Sequence, residues 1–235
     1  MTQIRALLFD VFGTVVDWRG SLVRELTAFG RSRGIKADWP GLADAWRAAY
    51  QPSMQRVLKG ETGWRKLEVL QRHSLEEICL SRGLSGLTPS DLDQINRFWR
   101  RCRPWPDSVR GLTQLKRGRV VAALSNGDVA LLVEMAKRGR LPWDTVLSTE
   151  LFRSFKPHPS TYLGACELLG LAPGEVMMCA AHNQDLAAAR ALGLRTAFIA
   201  RPLEYGAPFD AKPSQAWDFS VGSLIELAER LGEPS

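Results

Sequence analysis

Asp10, Ser125, Asn126, Lys156, His182 and Asp185 carry a carboxylate, a hydroxyl, an amide, an ammonium, an imidazole and a second carboxylate, and they follow successive short apolar runs. Ile4 to Phe9 ends at Asp10 and then Gly13-Thr14. Val120 to Leu124 ends at Ser125-Asn126-Gly127. Thr145 to Ser148 leads to a loop ending in Phe155-Lys156-Pro157, and Val176 to Cys179 is followed by Ala180-Ala181-His182-Asn183 and then Asp185. A short apolar run closed by a turn reads as a buried parallel strand. In an open parallel sheet, ligands bind outside the carboxyl ends of the strands. Singly, each residue has a structural reading: Ser125 or Asn126 as a helix cap, Lys156 as a solvated side chain, Asp10 and Lys156 as an ion pair. Together, at one end of successive strands, they read as a single polar site for chemistry on a small molecule.

The elements that must position them follow from the same pattern. A further strand-like run, Arg195 to Ala200, ends at Arg201-Pro202, and helical patterns fall at about 128–138, 159–169 and 184–192. Strands alternating with helices predict an α/β fold with a doubly wound parallel sheet. From about Leu22 to Trp99 the periodicity is helical instead, broken at Gly34, Pro40, Pro52, Gly60 to Gly63 and Gly83 to Pro89. This predicts a four- or five-helix insertion between the first and second strands. The expected division is residues 1–17 plus 104–235 for the core and 18–103 for the insertion.

Composition bounds the partners. The 235 residues are 45% hydrophobic and 24% charged, with a net charge of +6 and a pI near 9.4. Nucleic-acid binders gather positive charge on one face. Here the densest basic group (Arg97, Arg100, Arg101, Arg103) is interleaved with Phe98 and Trp99, so no nucleic-acid partner is expected and a small anionic substrate is favoured. No apolar run approaches the ~18 residues of a membrane span, so no membrane partner is expected. Met1-Thr2-Gln3-Ile4-Arg5 leads straight into the first strand pattern, and disorder is expected only in the last few residues. Cys79, Cys102, Cys166 and Cys179 show no C-x-x-C spacing, which predicts reduced, buried thiols and a cytoplasmic protein.

Four segments, FDVFGTVVD (9–17), LSNGD (124–128), FKPHPSTY (155–162) and AAHNQDLAAARALGLRTAFIARP (180–202), resemble in order and spacing the haloacid dehalogenase superfamily, over nearly the whole chain. The first is the most specific: an apolar strand delivering D-x-F/Y-G-T-x-x-D. The resemblance implies a Rossmann-like core with an inserted all-helical cap, Asp10 as a covalent nucleophile, Ser125 as a substrate-anchoring hydroxyl and Lys156 as the cation that holds Asp10.

Within that superfamily the local residues separate two chemistries. Phosphatases need a second aspartate two residues after the nucleophile, as acid for an alkoxide leaving group; that position is Phe12. They also bind magnesium, a hard cation that wants oxygen ligands, through an acid four residues before Asp185; that position is Ala181. A halide leaves as a stable anion and needs neither. The pattern resembles the metal-independent type II (S)-2-haloacid dehalogenases, which implies no metal and no cofactor. By that resemblance Asp10 displaces halide from carbon 2 of a 2-haloalkanoic acid with inversion, and water then attacks the Asp10 carboxyl carbon to release the 2-hydroxy acid. Lys156 keeps Asp10 ionised, since an adjacent ammonium favours the charged form. The other readings are a magnesium-dependent phosphatase or phosphonatase, opposed by Phe12 and Ala181, and a non-catalytic binding member, opposed by Asp10, Ser125 and Lys156.

The remaining roles are carried by matching positions. Arg47, in the W-R-x-x-Y setting of Trp46 and Tyr50, corresponds to an arginine reaching over the substrate to bind halide or carboxylate. Asn126 corresponds to a residue that cradles halide, while Ser125 and the backbone N–H groups of Asn126 and Gly127 would hold the substrate carboxylate. Thr14 and Tyr162 correspond to supports of the nucleophile and of Lys156. Phe12 replaces a tyrosine in the wall, Trp64 is expected to shield the site, and Asp185 orients Lys156 or the hydrolytic water. Where the family pattern reads S-S-N-x-W-D, this chain has Ala180, His182 and Gln184 at the first serine, the asparagine and the tryptophan. A neutral His182 could activate water or supply the asparagine's hydrogen bond. The resemblance also implies a homodimer, with the amphipathic insertion as one surface for it.

Overall fold

The computed structural model describes residues 3–232; the expectations for Met1-Thr2 and for the last three residues lie outside it. In chain order the elements are β1 (Ala6–Phe9), β2 (Val16–Asp17), α1 (Trp18–Arg33), α2 (Trp39–Ala48), α3 (Tyr50–Leu58), α4 (Leu67–Ser81), α5 (Pro89–Asn96), a 3₁₀ turn (Arg97–Arg101), β3 (Arg103–Pro104) and α6 (Ser108–Leu115). They continue with β4 (Val120–Ser125), α7 (Val129–Gly139), β5 (Thr145–Ser148), α8 (Pro159–Leu169), β6 (Val176–Ala180), α9 (Asn183–Ala191), β7 (Arg195–Ile199), β8 (Phe219–Val221) and α10 (Leu224–Leu231).

The six-stranded sheet runs β5-β4-β1-β6-β7-β8, parallel throughout. All four residues of β1 are buried, as a central strand covered on both faces requires. Phe9 lies opposite Ala123 of β4 and Cys179 of β6. That register brings the ends of three strands level, so Asp10, Ser125-Asn126 and Ala180 to His182 emerge at one edge. The chain leaves β1 for β4 on one side and reaches β6 on the other, and the crevice opens where those directions diverge.

The helical region, residues 18–101, contains five helices and the 3₁₀ turn. The chain leaves and returns to the core through the short antiparallel pair β2–β3. Apolar burial is continuous across the joint. Trp99 is fully buried and packs on Trp18 (6.2 Å), Trp46 (5.4 Å) and Phe12 (5.4 Å). A second tie is polar. Lys66, at the start of α4, supplies no side-chain cap, and Asp128, from the loop after β4, accepts instead from the N–H groups of Leu67 (2.9 Å) and Glu68 (3.0 Å). A carboxylate at a helix N-terminus satisfies orphan donors and complements the helix dipole.

The sheet extends beyond the sequence reading by β8, which is only three residues long; the short helices α10 and α6 pack on each other. All four cysteines are free and buried. The basic group near Arg100 is drawn into ion pairs: Arg100 with Glu68 and Glu134, Arg101 with Glu25. Among the described residues no helix is long and apolar enough to cross a membrane.

Removing the Asp128 carboxylate should loosen the cap. Asp128→Ala is expected to lower stability by about 1–2 kcal/mol, the range for losing a helix cap, measured by urea denaturation. Asp128→Asn should lose less.

Candidate active site

Asp10 stands immediately after β1, nearly buried. The chain then turns back on itself, with the N–H groups of Val15 and Val16 both donating to the Val11 carbonyl. This turn returns Thr14 to Asp10, where its hydroxyl donates to Oδ2 at 2.8 Å and accepts from the Ala181 N–H at 2.8 Å. Arg201 holds the turn from behind: its Nε donates to the Thr14 carbonyl, and its guanidinium pairs with Asp107.

Lys156 enters from the loop after β5. Its Nζ donates to Asp10 Oδ1 at 3.0 Å and to Asp185 Oδ2 at 2.5 Å, and the other Asp185 oxygen accepts from the Tyr162 hydroxyl at 2.5 Å. On the opposite flank His182 places Nδ1 3.1 Å from Asp10 Oδ2 and Nε2 3.0 Å from Glu204 Oε1. Glu204 is buried and also accepts from the Trp18 indole N–H at 3.1 Å. Gly13, at φ +89°, makes this possible, since a Cβ there would collide with the Glu204 carboxylate.

The result is a row of alternating charges: Asp185, Lys156, Asp10, His182 and Glu204. Burial alone would push the Asp10 carboxyl up. The Lys156 ammonium and the His182 ring outweigh it and hold Asp10 far below the usual carboxylate range. Burial opposes the Lys156 charge, but Asp10 and Asp185 push it up. Burial likewise opposes charge on His182, yet hydrogen bonds to Asp10 and Glu204 push it up to about 10. Two flanking carboxylates thus favour the imidazolium form of His182. Burial and Asp185 keep Tyr162 protonated.

A cavity of about 590 Å³ opens over this row, walled by Asp10, Asn126, Lys156, Tyr162, His182 and Asp185 from the core and by Arg47, Tyr50, Gln51 and Gln55 from the cap. Arg47 lies over the rings of Tyr50 (4.4 Å) and Trp18 (5.4 Å). Asn126 lines the cavity while its Oδ1 accepts from the Lys156 N–H at 2.8 Å. Phe12 lines it too, buried edge-on to Trp99.

Two expected residues are set back. Ser125 is fully buried, and its Oγ accepts from the Gly127 N–H at 3.2 Å. Gly127 is backed by Phe12 and Leu132. These two shape the loop behind the wall and do not line the cavity. Trp64 also stands aside, packed on Phe155 at 4.8 Å. Tyr162 contacts Asp185, one step from Lys156.

Sequence reasoning missed Glu204 and gave Tyr50 no role of its own. Glu204 lies just past Arg201-Pro202, in the loop after β7, so the strand-end rule that found Asp10 would have reached it one loop later. Neither Phe12 nor Ala181 has a side-chain oxygen for a cation. Among the described residues no group of three or more His, Cys, Asp or Glu converges as a metal-ligand set.

Comparison with known proteins places this geometry. The chain belongs to the haloacid dehalogenase-like hydrolases, whose family model matches residues 4–193. Over 97% of its length it is similar to the crystal structure of an L-2-haloacid dehalogenase, at 49% identity, covering all of that chain with a TM-score of 0.93. It is also similar to a defluorinating L-2-haloacid dehalogenase, at 42% identity over 97% of this chain and 95% of that one, TM-score 0.94. A third likeness, at 26% identity over 97% and 98% of the two chains and a TM-score of 0.79, is to the L-2-haloacid dehalogenase of Xanthobacter autotrophicus with chloropropionic acid covalently bound.

A raised folded-state pKa means that charged His182 stabilises the fold fully below its ordinary value of 6.5 and stops doing so as the pH rises through about 10. The stability advantage of the wild type over His182→Asn, from urea denaturation at a series of pH values, should therefore be largest below pH 6.5 and shrink towards pH 10.

Proposed function

We propose that the protein hydrolyses (S)-2-haloalkanoic acids to 2-hydroxy acids through an ester on Asp10. One observation carries this reading: a buried carboxylate, held towards its ionised form by Lys156 and His182, faces a cavity that supplies anion-binding donors but no acid at position 12. Such a group is built to attack carbon and release a leaving group that needs no proton.

Oδ2 of Asp10 is engaged by Thr14 and His182, and among the described residues Oδ1 is engaged by Lys156 alone. The Oδ1 lone pair attacks carbon 2 in line with the carbon–halogen bond, which breaks with its electron pair on the halide. Arg47, which has no carboxylate partner among the described residues, binds substrate anion from the cap, beside Asn126. Fixed charges and donors in a small cavity act without reorganising at the moment of reaction.

Alkylation turns Asp10 from an anion into a neutral ester. His182 then keeps only Glu204 as a charged partner, its pKa falls, and the Nδ1 proton is released to solvent. Neutral His182, oriented through Nε2–H by Glu204, accepts a proton from the water that attacks the Asp10 carboxyl carbon. The departing alkoxide takes the other water proton, and the imidazolium–carboxylate pair re-forms. His182 is thus a base only while the ester exists. Phosphoryl transfer lacks the acid and the magnesium ligand at Phe12 and Ala181, so the second enzyme reading is set aside. The homodimer belongs to this reading, supported by exposed Val69 and Leu80 on α4, as does a cytoplasmic location, supported by the free buried thiols.

Halide release from (S)-2-chloropropionate should continue in EDTA and vanish in Asp10→Asn; magnesium-dependent phosphate release without halide release would sink the reading. His182→Ala should release one equivalent of halide and then stall, with the enzyme heavier by the mass of the alkyl ester. Light scattering on the purified protein should give twice the chain mass of 26.1 kDa.

A further inference from the structure

Tyr50 opens α3 at the joint with α2, and its ring lies under the Arg47 guanidinium at 4.4 Å. It is 7% exposed, and what remains accessible belongs to the cavity wall that it shares with Asp10 and Asn126. The Asn126 amide has a fixed orientation, because Oδ1 accepts from the Lys156 N–H. Its Nδ2 is the end left to donate, and it shares the cavity wall with Tyr50, whose hydroxyl carries a proton to give. Among the described residues no acceptor takes that proton, and burial, opposed by Arg47, keeps the phenol protonated.

The placement decides which part of the substrate this donor meets. Asp10 attacks from the core side of the cavity. In-line displacement expels the leaving group on the far side of carbon 2, which is where the cap contributes Arg47 and Tyr50. Resting on the dehalogenase reading above, we propose that Tyr50 donates its hydroxyl hydrogen bond to the departing halide, completing with Arg47 and Asn126 a three-donor halide cradle. The proton stays on the phenol throughout. The carbon–halogen electron pair leaves on the halide, and the hydrogen bond strengthens as that charge grows. A bond that forms mainly in the transition state raises the rate of the displacement step rather than substrate affinity. Its worth follows the acceptor strength of the halide, which falls from fluoride through chloride to bromide.

Tyr50→Phe removes the hydroxyl and keeps the ring under Arg47. With enzyme in excess over (S)-2-chloropropionate, the single-turnover rate of chloride release is expected to fall about 10- to 100-fold, the range for a hydrogen bond to a charged group. With (S)-2-bromopropionate the fall should be less than about threefold, with KM for both within about twofold of wild type. Equal losses for the two halides, or a loss confined to KM, would show that Tyr50 serves the carboxylate or the packing of Arg47, and would overturn the proposal. Chloride titration followed by tryptophan fluorescence needs no turnover: chloride should bind Tyr50→Phe about tenfold or more weakly, and unchanged binding would overturn the proposal as well. A wild type that binds chloride but releases none from either acid would instead overturn the dehalogenase reading.

Discussion

Five ionisable side chains in a row, negative and positive by turns, four of them buried and His182 half-buried, are the constraint around which this molecule is built. An isolated charge is prohibitive inside a protein, and an ion pair is tolerated only with good geometry and its remaining valences satisfied. Here each member supplies what its neighbour lacks. Tyr162 closes the row at Asp185 and Trp18 closes it at Glu204. The row therefore runs from a core helix to the first cap helix, and cap and core must be seated together for it to be complete. Gly13 is glycine, Arg201 is buried and Asp107 is fixed because each serves the approach of one member to the next.

Under the proposed mechanism, the same row lets one imidazole serve two states. In the resting enzyme it neutralises the nucleophile's surroundings without removing its charge. Once the nucleophile is esterified, the ring's environment changes by a full unit of charge within hydrogen-bonding distance. A group whose proton is held by its reaction partner is switched by the reaction itself, so no separate conformational step is needed to make it basic. Glu204 holds the ring in the resting site, and in the proposed mechanism it does so in the ester state as well.

Legibility in the sequence followed the physics of each signal. Strands buried on both faces are runs of apolar residues, so β1, β4, β5, β6 and β7 could be read, and with the first four of them the polar residues of the loops that follow. Asp10, Asn126, Lys156, His182 and Asp185 were found this way, and the structure brings all five to one edge. β8 and α10 escaped because they are three and eight residues long. The charge state of His182 was not readable because its second carboxylate arrives from a loop 22 residues away. The setback of Ser125 and Gly127 depends on a hydrogen bond within their own turn. Motif spacing locates a turn but does not say which way it faces. Cap residues were hardest to assign, because helical periodicity shows which face is buried, not what lies beneath it.

The order in which this chain is synthesised has a consequence of its own. β1 is the middle of the sheet, yet its partners lie at Val120–Ala123 and Val176–Cys179, made only after the whole helical insertion. On the ribosome, the most hydrophobic strand emerges first and stays unpaired for more than a hundred residues of elongation. The cap helices, joined by local contacts, can pack long before, since contacts near in sequence form fastest. Residues 18–101 therefore act as a spacer that folds early and holds the two ends of the core adjacent through β2 and β3, which shortens the loop that β1 must close when its partners arrive. A nascent chain arrested before residue 176 carries a structured insertion and an exposed apolar strand, the state in which chaperones would meet it.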